Sequence, residues 1–598
     1  MSPDLIEADA GRFGDPLRIL HETFGFTAFR GVQERVVDRV MAGRNTLAIM
    51  PTGAGKSLCY QVPALARQGT ALVISPLIAL MHDQIRSASG FGIRAAALTS
   101  ADDNRAETLA RLRAGELDLL YVAPERASGE GFRSLLAQVP LALIAIDEAH
   151  CVSEWGHDFR PDYRLLRPLL DRFPDVPRLA LTATADRQTR ADILIQLGIS
   201  EEGMVLAGFD RPNIRYHIRP RDGIGTQLKA LLAEQPGPGI VYATSREATE
   251  RLAEQLRADG RPVLPYHAGL DPRVRAANQA AFVESEDMVM VATIAFGMGI
   301  DKPDVRFVAH AGLPKSIEAY YQETGRAGRD GDQADAHLFW GADDFSRARR
   351  RVETEVPEDR RAGERTRLNA LAGLVESAGC RRAILLRHFD EVPPERCGNC
   401  DNCLSPPRTV DATQAARKLL SAAFRTEMRF GIGHLADVLA GKSTGKVLSF
   451  GHDRLSVFGI AEPDELALLK PVARHLVACD ALRADDYGGL SFGPGARPIL
   501  KGEEQVELVV ASPRKRRRGG AVANPEGDPL FEALRACRRD IARESGVPPY
   551  VVFHDSTLRD MAAERPASLA ALGRLAGVGA AKLDRYGEAF LAVLLAHA

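Results

Sequence analysis

Short apolar runs alternate with amphipathic stretches along residues 1–208. The runs are Thr46–Ile49, Ala71–Ile74, Leu119–Val122, Leu141–Ile146 and Arg178–Leu181. This alternation predicts the buried strands and covering helices of an α/β fold with a doubly wound parallel sheet. In such a sheet the functional loops follow the carboxyl ends of the strands, so the residues directly after each run are the first candidates for chemistry.

The same pattern returns between residues 209 and 340. Gly239–Tyr242, Met288–Ala292 and Val305–His310 predict strands of a second α/β lobe. The pattern changes again beyond this lobe. We expect a cysteine-containing module, then a mainly helical module with polar breaks, then a basic Pro/Gly-rich linker, and finally four or five short helices.

A phosphate-binding loop is predicted where the first run ends. Met50-Pro51-Thr52-Gly53-Ala54-Gly55-Lys56-Ser57 lies between the predicted strand and a predicted helix that begins at Leu58. Backbone N–H groups of such a turn point at an anion, the lysine reaches the terminal phosphates, and the serine hydroxyl can hold Mg²⁺. Met50 stands where the strict pattern has glycine, and an ordinary Gly-rich turn is the alternative interpretation.

An acid pair follows the fourth run. Asp147-Glu148 closes Leu141–Ile146 and precedes Ala149-His150. Carboxylates at this edge of a parallel sheet lie where the Mg²⁺ of a nucleotide and the attacking water need them, so the pair and the loop together predict ATP hydrolysis. Since residues 209–340 contain no second Gly-Lys-Ser loop, we expect the second lobe to act on the nucleotide of the first.

Composition narrows the class of protein. A chain of 598 residues is too long for a single hydrophobic core, so we expect several domains. Its 45% hydrophobic and 26% charged residues are ordinary for a globular protein. The net charge of −2 means that any nucleic-acid surface must be local. The acidic segment Ser2–Glu7 is unlike a signal peptide, and no apolar run approaches the roughly 18–20 residues that span a bilayer. We expect a soluble, intracellular protein.

Two aromatic segments flank these motifs. In Phe24–Gln33 a ring can stack on a base and the glutamine amide can pair with adenine N6 and N7, although core packing of the phenylalanines is the alternative. Cys151–Tyr163 concentrates Trp, Phe, Tyr, His and Arg directly beyond the acid pair, and Gly156 and Pro161 interrupt any core periodicity.

Four segments, Phe29–Gln33, Met50–Ser57, Asp147–His150 and Cys151–Tyr163, resemble the RecQ DNA helicases of helicase superfamily 2. The resemblance covers nearly the whole chain and implies two RecA-like parallel-sheet lobes, a zinc-binding helical module, a winged-helix domain and a small all-α HRDC domain. The implied boundaries are 1–208 and 209–340 for the lobes, 341–408 for the zinc module, 409–515 for the winged helix, 516–527 for a linker and 528–598 for HRDC.

The resemblance implies roles in the first lobe. Gln33 would bind adenine, Phe26 would stack on it, and Arg30 would lie nearby. Lys56 would bind phosphates, Ser57 and Asp147 would hold Mg²⁺, and Glu148 would polarise the attacking water. The other implied nucleotide contacts are Thr52, Gly53, Gly55, Gly299, Asp301 and Gln322. His150, with Thr182 and Thr184, would couple this site to the DNA track.

The implied DNA contacts lie in two places. The aromatic loop would detect single-stranded DNA, and stacking of rings on bases would contribute about 1–3 kcal/mol per base. Its implied contact residues are Trp155, His157, Phe159 and Arg160. The HRDC module would add Tyr550 and Lys582, and the latter lies in a helix-hairpin loop whose N–H groups can take a phosphate. A packing role for Tyr550 stays open.

Two arginines in Gln322–Gly331 predict a catalytic contribution from the second lobe. Arg326 and Arg329 lie three residues apart among glycines, a pattern that suits a loop carrying positive charge into a cleft. An arginine from a facing lobe can stabilise the transferring phosphoryl group. A solvated surface pair is the alternative. The resemblance favours Arg329 as the arginine finger, the residue that contacts the transferring phosphoryl group from the facing lobe. It favours Arg326 as a second phosphate contact, and the assignment between the two stays open.

A group of four cysteines predicts a structural metal site. Cys380 is followed by Cys397, Cys400 and Cys403 at two-residue gaps, which gives four soft ligands and no open position. Zn²⁺ is the expected ion, with an iron–sulfur cluster as the alternative. The basic stretches Arg347–Arg351 and Arg360-Arg361 predict a solvated helix face, with contact to phosphates as the alternative.

We therefore expect an ATP-dependent DNA helicase. The resemblance implies 3′→5′ translocation on single-stranded DNA, unwinding of duplex DNA in recombination and repair, and the cofactors ATP, Mg²⁺ and Zn²⁺. It also implies a monomer in the bacterial cytoplasm, associated with the nucleoid, with single-strand-binding protein and a topoisomerase as partners and no membrane contact. The alternatives are an ATP-switched DNA-binding or strand-annealing factor and an RNA helicase.

Overall fold

Buried apolar strands form the centre of the first lobe. Strand β1 (Thr46–Ile49) alternates between two cores, with Leu47 and Ile49 on one face and Ala48 on the other. Such a strand needs helices on both faces of its sheet. The structure is a computed structural model that describes residues 14–99, 104–154, 159–258, 260–296, 302–484, 489–510 and 528–597.

The last strand of the first lobe ends at Leu206. Its other strands are β2 (Thr70–Ile74), β3 (Ala95–Leu98), β4 (Leu119–Val122), β5 (Leu141–Ile146), β6 (Arg178–Thr182) and β7 (Met204–Leu206). Its helices are α1 (Pro16–Phe24), α2 (Gln33–Met41), α3 (Leu58–Ala66), α4 (Ile78–Gly90), α5 (Arg105–Arg113), α6 (Pro124–Ala127), α7 (Glu130–Leu136), α8 (Pro161–Arg164), α9 (Arg167–Arg172) and α10 (Arg187–Leu197). The strands are parallel, in the order β3-β4-β2-β5-β6-β1-β7.

The second lobe repeats this architecture. Its strands are β8 (Ile214–Pro220), β9 (Gly239–Tyr242), β10 (Val263–Tyr266), β11 (Val289–Ala292), β12 (Phe307–His310) and β13 (Ala334–Trp340). Its helices are α11 (Ile224–Glu234), α12 (Arg246–Arg257), α13 (Pro272–Glu284) and α14 (Ile317–Thr324). The strands are parallel in the order β10-β11-β9-β12-β13-β8. The prediction of two parallel-sheet lobes is confirmed.

Helices follow the second lobe. They are α15 (Ala342–Thr354), α16 (Glu358–Glu376), α17 (Arg381–His388) and α18 (Asp401–Leu404). Arg349 corrects the expectation of a solvated basic face: it is buried and donates to the carbonyl of Ala478 at 2.6 Å. The guanidinium thereby binds unpaired carbonyls at the end of a neighbouring helix, where a cation also complements the helix dipole.

The next region combines helices with two small antiparallel sheets. Its elements are β14 (Arg408–Asp411), α19 (Thr413–Arg425), α20 (Ile432–Leu439), α21 (Gly445–Ser449), α22 (Pro463–Ala478), β15 (Leu482–Ala484), β16 (Leu490–Phe492), α23 (Ala496–Lys501) and β17 (Glu507–Val510). β14 pairs with β17, which brings the two ends of this region together, and β15 pairs with β16. The paired strands give the expected winged-helix module its β component.

A C-terminal helical unit begins at residue 528. Its helices are α24 (Pro529–Ser545), α25 (Pro549–Val552), α26 (Asp555–Glu564), α27 (Leu569–Leu572) and α28 (Ala580–Ala596), packed around a core of their own. The prediction of a small helical module here is confirmed. Within the part of the chain that the structure describes, no helix is both long and apolar enough to cross a bilayer.

Candidate active site and metal centre

The loop between β1 and α3 wraps around its own lysine. Lys56 Nζ donates to the carbonyl of Met50 at 3.2 Å. Gly53 and Gly55 have φ values of 85° and 71°, a region that glycine enters without strain. Ser57 precedes the first residue of α3, so the helix N-terminus opens from this loop. Backbone N–H groups and an ammonium therefore surround one position that suits an anion.

Gln33 attaches the upstream aromatic segment to this loop. Its buried amide accepts from the N–H of Arg30 at 2.9 Å and donates to the carbonyl of Ala54 at 2.9 Å. The guanidinium of Arg30 lies 5.6 Å from the ring centroid of Phe26. The structure thus brings these three predicted nucleotide contacts to the phosphate loop, and here the Gln33 amide is engaged with the loop backbone.

The acid pair lies at the carboxyl end of β5, as the sequence predicts. Asp147 is buried, and burial together with the adjacent Glu148 charge raises its pKa to about 7, while Lys56 opposes the shift. A buried carboxylate of this kind is stabilised by a cation. Carboxylate and hydroxyl oxygens are the ligands that Mg²⁺ prefers, so the donor set of Asp147 and Ser57 fits that ion.

Glu148 has a backbone conformation that non-glycine residues rarely adopt. Its φ and ψ are both 47°, in the left-handed region. Its carboxylate Oε2 lies 3.3 Å from Nδ1 of His150. Strained backbone of this kind concentrates at functional sites.

His150 joins the acid pair to the loop after β6. It is buried, and its Nδ1 lies 2.9 Å from the hydroxyl of Thr182, which in turn donates to the carbonyl of Thr184 at 3.1 Å. A change in charge at Glu148 can therefore pass through one imidazole to a second loop at the same sheet edge.

The two lobes meet at the phosphate loop. A Cβ placed on Gly53 would lie 3.4 Å from Cα of Arg329, and one placed on Gly325 would lie 3.3 Å from Cβ of Thr52. Arg326 follows α14 in the same segment and is buried. The second lobe thus brings both predicted arginines to the edge of the loop that carries Lys56. Gln322 lies on α14.

Four predicted site residues lie outside the described residues: Trp155, His157, Gly299 and Asp301. The C-terminal end of the aromatic segment is attached to the acid pair, because Tyr163 donates its hydroxyl proton to the carbonyl of Asp147 at 2.9 Å. Arg160 donates to the carbonyl of Pro76 at 3.0 Å, and Phe159 lies between two guanidinium groups, those of Arg164 and Arg360, at 5.4 and 5.5 Å.

The four predicted cysteine sulfurs come together. They all lie within 4.8 Å of one another, with 3.9 Å between Cys397 and Cys403 and 4.0 Å between Cys400 and Cys380. A tetrahedral ion with Zn–S bonds of about 2.3 Å needs sulfurs about 3.8 Å apart. The spacing of these thiols therefore fits a closed structural zinc site.

This cysteine cluster is attached to the second lobe. Cys400 forms an isolated parallel bridge with Tyr216 on the edge strand β8, and the Asp401 carboxylate accepts from the N–H of Ile218 at 2.8 Å. Arg215 donates to the side chain of Asn399 at 3.2 Å. The metal site consequently covers a sheet edge that would otherwise present unpaired backbone groups.

A second group of potential ligands has a different geometry. His217 and His337 lie with Asp335 within 4.8 Å, but the two imidazole rings stack at 4.6 Å with an interplanar angle of 9°. Lone pairs of parallel rings lie in separate planes and do not converge on one ion. His217 instead pairs with Asp335 at 2.8 Å, and this pairing helps to hold the pKa of Asp335 below its usual value.

The C-terminal helical unit docks on both lobes. The N–H of Gly577 donates to the carbonyl of Gly25 in the first lobe at 3.3 Å. On the second lobe, Glu286 accepts from Arg538 at 2.8 Å, and Arg559 pairs with Asp332. The unit therefore holds the aromatic segment and the second lobe at the same time.

Both predicted DNA contacts of this unit lie at the docking surface. Lys582 is only 6% exposed, and its Nζ lies 5.0 and 5.8 Å from the ring centroids of Phe91 and Phe553. Burial lowers its pKa to about 8. Tyr550 lines a small cavity that Glu286 and Asp330 also line. In this arrangement Lys582 is not presented to a phosphate, because the first lobe covers it.

We expect Lys582→Met to stabilise the docked C-terminal helical unit by roughly 1–3 kcal/mol at pH 7, because the buried ammonium carries a desolvation cost. The pKa falls from 10.5 to about 8 on folding, so the cost is fully present below pH 8 and disappears as the pH approaches 10.5. Thermal and urea unfolding at pH 7 and pH 10 measure the difference in unfolding free energy between the variant and the parent. The exposed cation Arg574, replaced by Met, is the control. Equal effects of both substitutions would contradict the prediction.

Sequence reasoning missed Arg211, which lies in the connection between the lobes. Its guanidinium donates to the carbonyls of Thr52 and Gly325, at 2.6 and 3.0 Å. No motif singles out this residue, because all its described partners are backbone carbonyls from distant parts of the chain.

Family models match five regions of the chain. They are a DEAD/DEAH box helicase domain at residues 30–193, a helicase conserved C-terminal domain at 224–331, a RecQ zinc-binding domain at 342–404, an RQC domain at 406–517 and an HRDC domain at 528–594. The matches fall on the two lobes, the cysteine cluster, the mixed helical region and the C-terminal helical unit.

Three relatives match over nearly their whole length, and each is named ATP-dependent DNA helicase RecQ. The protein of Pasteurella multocida is 41% identical, with 97% of this chain and 94% of the relative covered. The Haemophilus influenzae protein is 42% identical, covering 97% and 96%. The Bacillus subtilis protein is 38% identical, covering 97% and 98%.

Proposed function

The chain belongs to the RecQ family of ATP-dependent DNA helicases, and from this premise we propose that it translocates 3′→5′ on single-stranded DNA and unwinds duplexes in recombination and repair. The observation that supports the motor most strongly is the contact between Gly53 of the first lobe and Arg329 of the second. A nucleotide in the loop would lie between the two lobes, which would close on it and separate after hydrolysis. This cycle would let the two lobes bind and release single-stranded DNA in turn, and so move along it.

Both lobes contribute residues to the proposed nucleotide site. Phe26, Arg30 and Gln33 receive the adenine. Lys56 and the loop backbone hold the phosphates, with Thr52, Gly53 and Gly55 as further contacts. Ser57 and Asp147 would hold Mg²⁺, which would supply positive charge to neutralise the phosphates. Gly299, Asp301 and Gln322 complete the site from the second lobe.

The proposed chemistry depends on charged groups that come from opposite lobes. Glu148 accepts a hydrogen bond from the attacking water and orients it in line with the terminal phosphate. Arg329, with Arg326 as a second contact, stabilises the charge that develops on the transferring phosphoryl group. His150 transmits the state of Glu148 to Thr182, next to the DNA track.

The proposed DNA track passes the aromatic loop. Trp155, His157, Phe159 and Arg160 provide stacking surfaces and positive charge, which suit single strands of any sequence. In the C-terminal helical unit, Tyr550 and Lys582 reach DNA only after the unit leaves its docked position, because both lie at the docking surface. The zinc site is structural and keeps the edge of the second lobe closed.

The proposed domain boundaries follow the predicted ones, with lobes at 1–208 and 209–340, the zinc module at 341–408, the winged helix at 409–515 and HRDC at 528–598. The segment 516–527, proposed as a linker, lies outside the described residues. We further propose a monomer, associated with the nucleoid, that works with single-strand-binding protein and a topoisomerase.

Unwinding of tailed duplexes tests this function. With ATP and Mg²⁺, we expect strand separation from a 3′-tailed duplex and little from a 5′-tailed duplex of the same sequence, since a 3′→5′ motor loads on the 3′ tail. Lys56→Ala protein is the control for ATP hydrolysis. Equal unwinding of both duplexes would refute the polarity. Strand separation that persists in Lys56→Ala would favour an ATP-switched annealing factor instead.

A further inference from the structure

Arg211 connects the phosphate loop of one lobe to the arginine segment of the other. One terminal nitrogen of its guanidinium donates to the carbonyls of Thr52 and Gly325. The second donates to the carbonyls of Ala327 and Gly328, each at 2.9 Å. Three of the four acceptors belong to the turn that carries Arg326 and Arg329, and the fourth belongs to the phosphate loop.

The connection that carries Arg211 is itself held in place. Phe209 accepts at its carbonyl from the hydroxyl of Tyr321 at 2.6 Å and donates its N–H to Glu391 at 3.0 Å. Asn213 donates to the carbonyls of Gly328 and Asp332, both at 2.8 Å. The guanidinium therefore extends from a fixed base, and the bond to Thr52 is its one described contact with the first lobe.

The turn beneath Arg211 has no room for adjustment. Gly328 has a φ of 56°, and a Cβ there would lie 2.5 Å from Nδ2 of Asn213 and 2.6 Å from the Asp332 carbonyl. Gly325 packs against Thr52. A planar guanidinium serves four such carbonyls in a fixed geometry, whereas an ammonium offers donors without a fixed plane.

The environment of Arg211 makes this bonding costly to disturb. Burial, reinforced by the nearby charge of Arg329, lowers its pKa from the ordinary value. Arg211 is partly buried, and removing its donors would leave the buried carbonyls among its acceptors without these partners, at about 1–3 kcal/mol for each carbonyl that water does not reach. The hydrogen bonds of Arg211 contribute either to stability alone or also to the placement of Arg329. These two roles predict different effects of a substitution on kcat.

We propose that Arg211 is a positioning residue for ATP hydrolysis: by binding Thr52 and the 325–328 turn together, it sets the distance between the phosphate loop and Arg329. This inference rests on the proposed nucleotide site. An error of about 1 Å in the placement of a catalytic group costs on the order of a hundredfold in rate. Most of the proposed contacts to the ground-state nucleotide come from the first lobe, so ATP affinity should change little.

Arg211→Lys tests the proposal, because lysine keeps the charge and the aliphatic stem but lacks the planar fork. We expect kcat for DNA-stimulated ATP hydrolysis to fall by roughly 10- to 100-fold, while the dissociation constant for ATP stays within about threefold of the parent. Zinc content and the unfolding temperature verify that the variant is folded.

Arg178→Lys is the matched control. Arg178 is buried, whereas Arg211 is partly buried, and it too donates to backbone carbonyls: those of Leu170 and Leu197, each at 2.9 Å, which lie in helices α9 and α10 of the first lobe. If loss of a buried fork acts only through stability, both lysine variants should show the same lowered unfolding temperature and the same kcat. The proposal expects a loss of kcat in the Arg211 variant alone.

A double-variant cycle with Arg329→Ala gives the second readout. If Arg211 acts by placing Arg329, then adding Arg211→Lys to Arg329→Ala should slow hydrolysis by less than about twofold. A parent-like kcat in Arg211→Lys, or a full multiplicative loss in the double variant, would overturn the proposal. The Lys56→Ala variant distinguishes failure of the Arg211 proposal from failure of the proposed nucleotide site. Hydrolysis that survives in Lys56→Ala would refute the nucleotide site itself.

Discussion

Arg329→Ala is expected to lower kcat for ATP hydrolysis by about 10³- to 10⁵-fold while leaving ATP affinity nearly unchanged. The Cα, Cβ and Cγ atoms of Arg329 lie beside Gly53, so this arginine reaches the phosphate loop from the opposite lobe. Charge builds on the phosphoryl group only as the bond to the leaving oxygen breaks. An arginine finger therefore stabilises the transition state and adds little to ground-state binding of ATP. Steady-state hydrolysis with saturating single-stranded DNA and a nucleotide-binding titration measure the two quantities.

Comparison with two other arginines gives this prediction its specificity. Arg326→Ala should cost less than Arg329→Ala if Arg329 is the finger, and the reverse order would exchange their roles. Arg251 is exposed on α12 of the same lobe, and its replacement by alanine should leave kcat unchanged. A loss below tenfold for both Arg326→Ala and Arg329→Ala would contradict a composite site.

Cys400→Ala is expected to abolish zinc binding and to unfold the segment from Cys380 to Leu404. Cys400 is fully buried and is joined to Tyr216 on β8, so its loss removes a ligand and opens the edge of the second lobe. Zinc contributes on the order of 10 kcal/mol to the folding of small zinc modules. Metal analysis should show about one zinc per parent chain and almost none in the variant, with a lowered unfolding temperature.

Two cysteines outside the cluster provide the control for that experiment. Cys479 follows α22 and Cys537 lies on α24. Alanine at either position should leave the zinc content at the parent value. A Cys400→Ala protein that retained zinc and the parent unfolding temperature would show that the four sulfurs do not form the metal site.

Strands with uniform apolar character were predictable, and strands with mixed composition were not. The runs at β1, β4 and β5 match the observed strands because fully buried parallel strands need continuous apolar residues. β3 is Ala95-Ala96-Ala97-Leu98, and alanine favours helices. β13 contains Asp335, which pairs with His217, and His337, which stacks on the His217 ring, and the local pattern does not reveal these neighbours.

The candidate site divides in the same way. Thr52 to Ser57 and Asp147 to His150 could be located from sequence because each forms a contiguous motif at the end of a strand. The contact of Gly53 with Arg329 and the role of Arg211 depend on how two lobes meet, and local patterns do not contain that information. Lys582 shows a further limit of local patterns: they predict it as a DNA contact, and its burial depends on docking against distant parts of the chain.

Binding of ADP–aluminium fluoride, a mimic of the transferring phosphoryl group, tests the composite nucleotide site most directly. The account predicts that the parent protein binds ADP–aluminium fluoride much more tightly than ADP, and that Arg329→Ala binds ADP normally but loses most of this preference. A preference that is unchanged in Arg329→Ala would mean that the second lobe does not contact the reacting phosphate, and it would contradict the account.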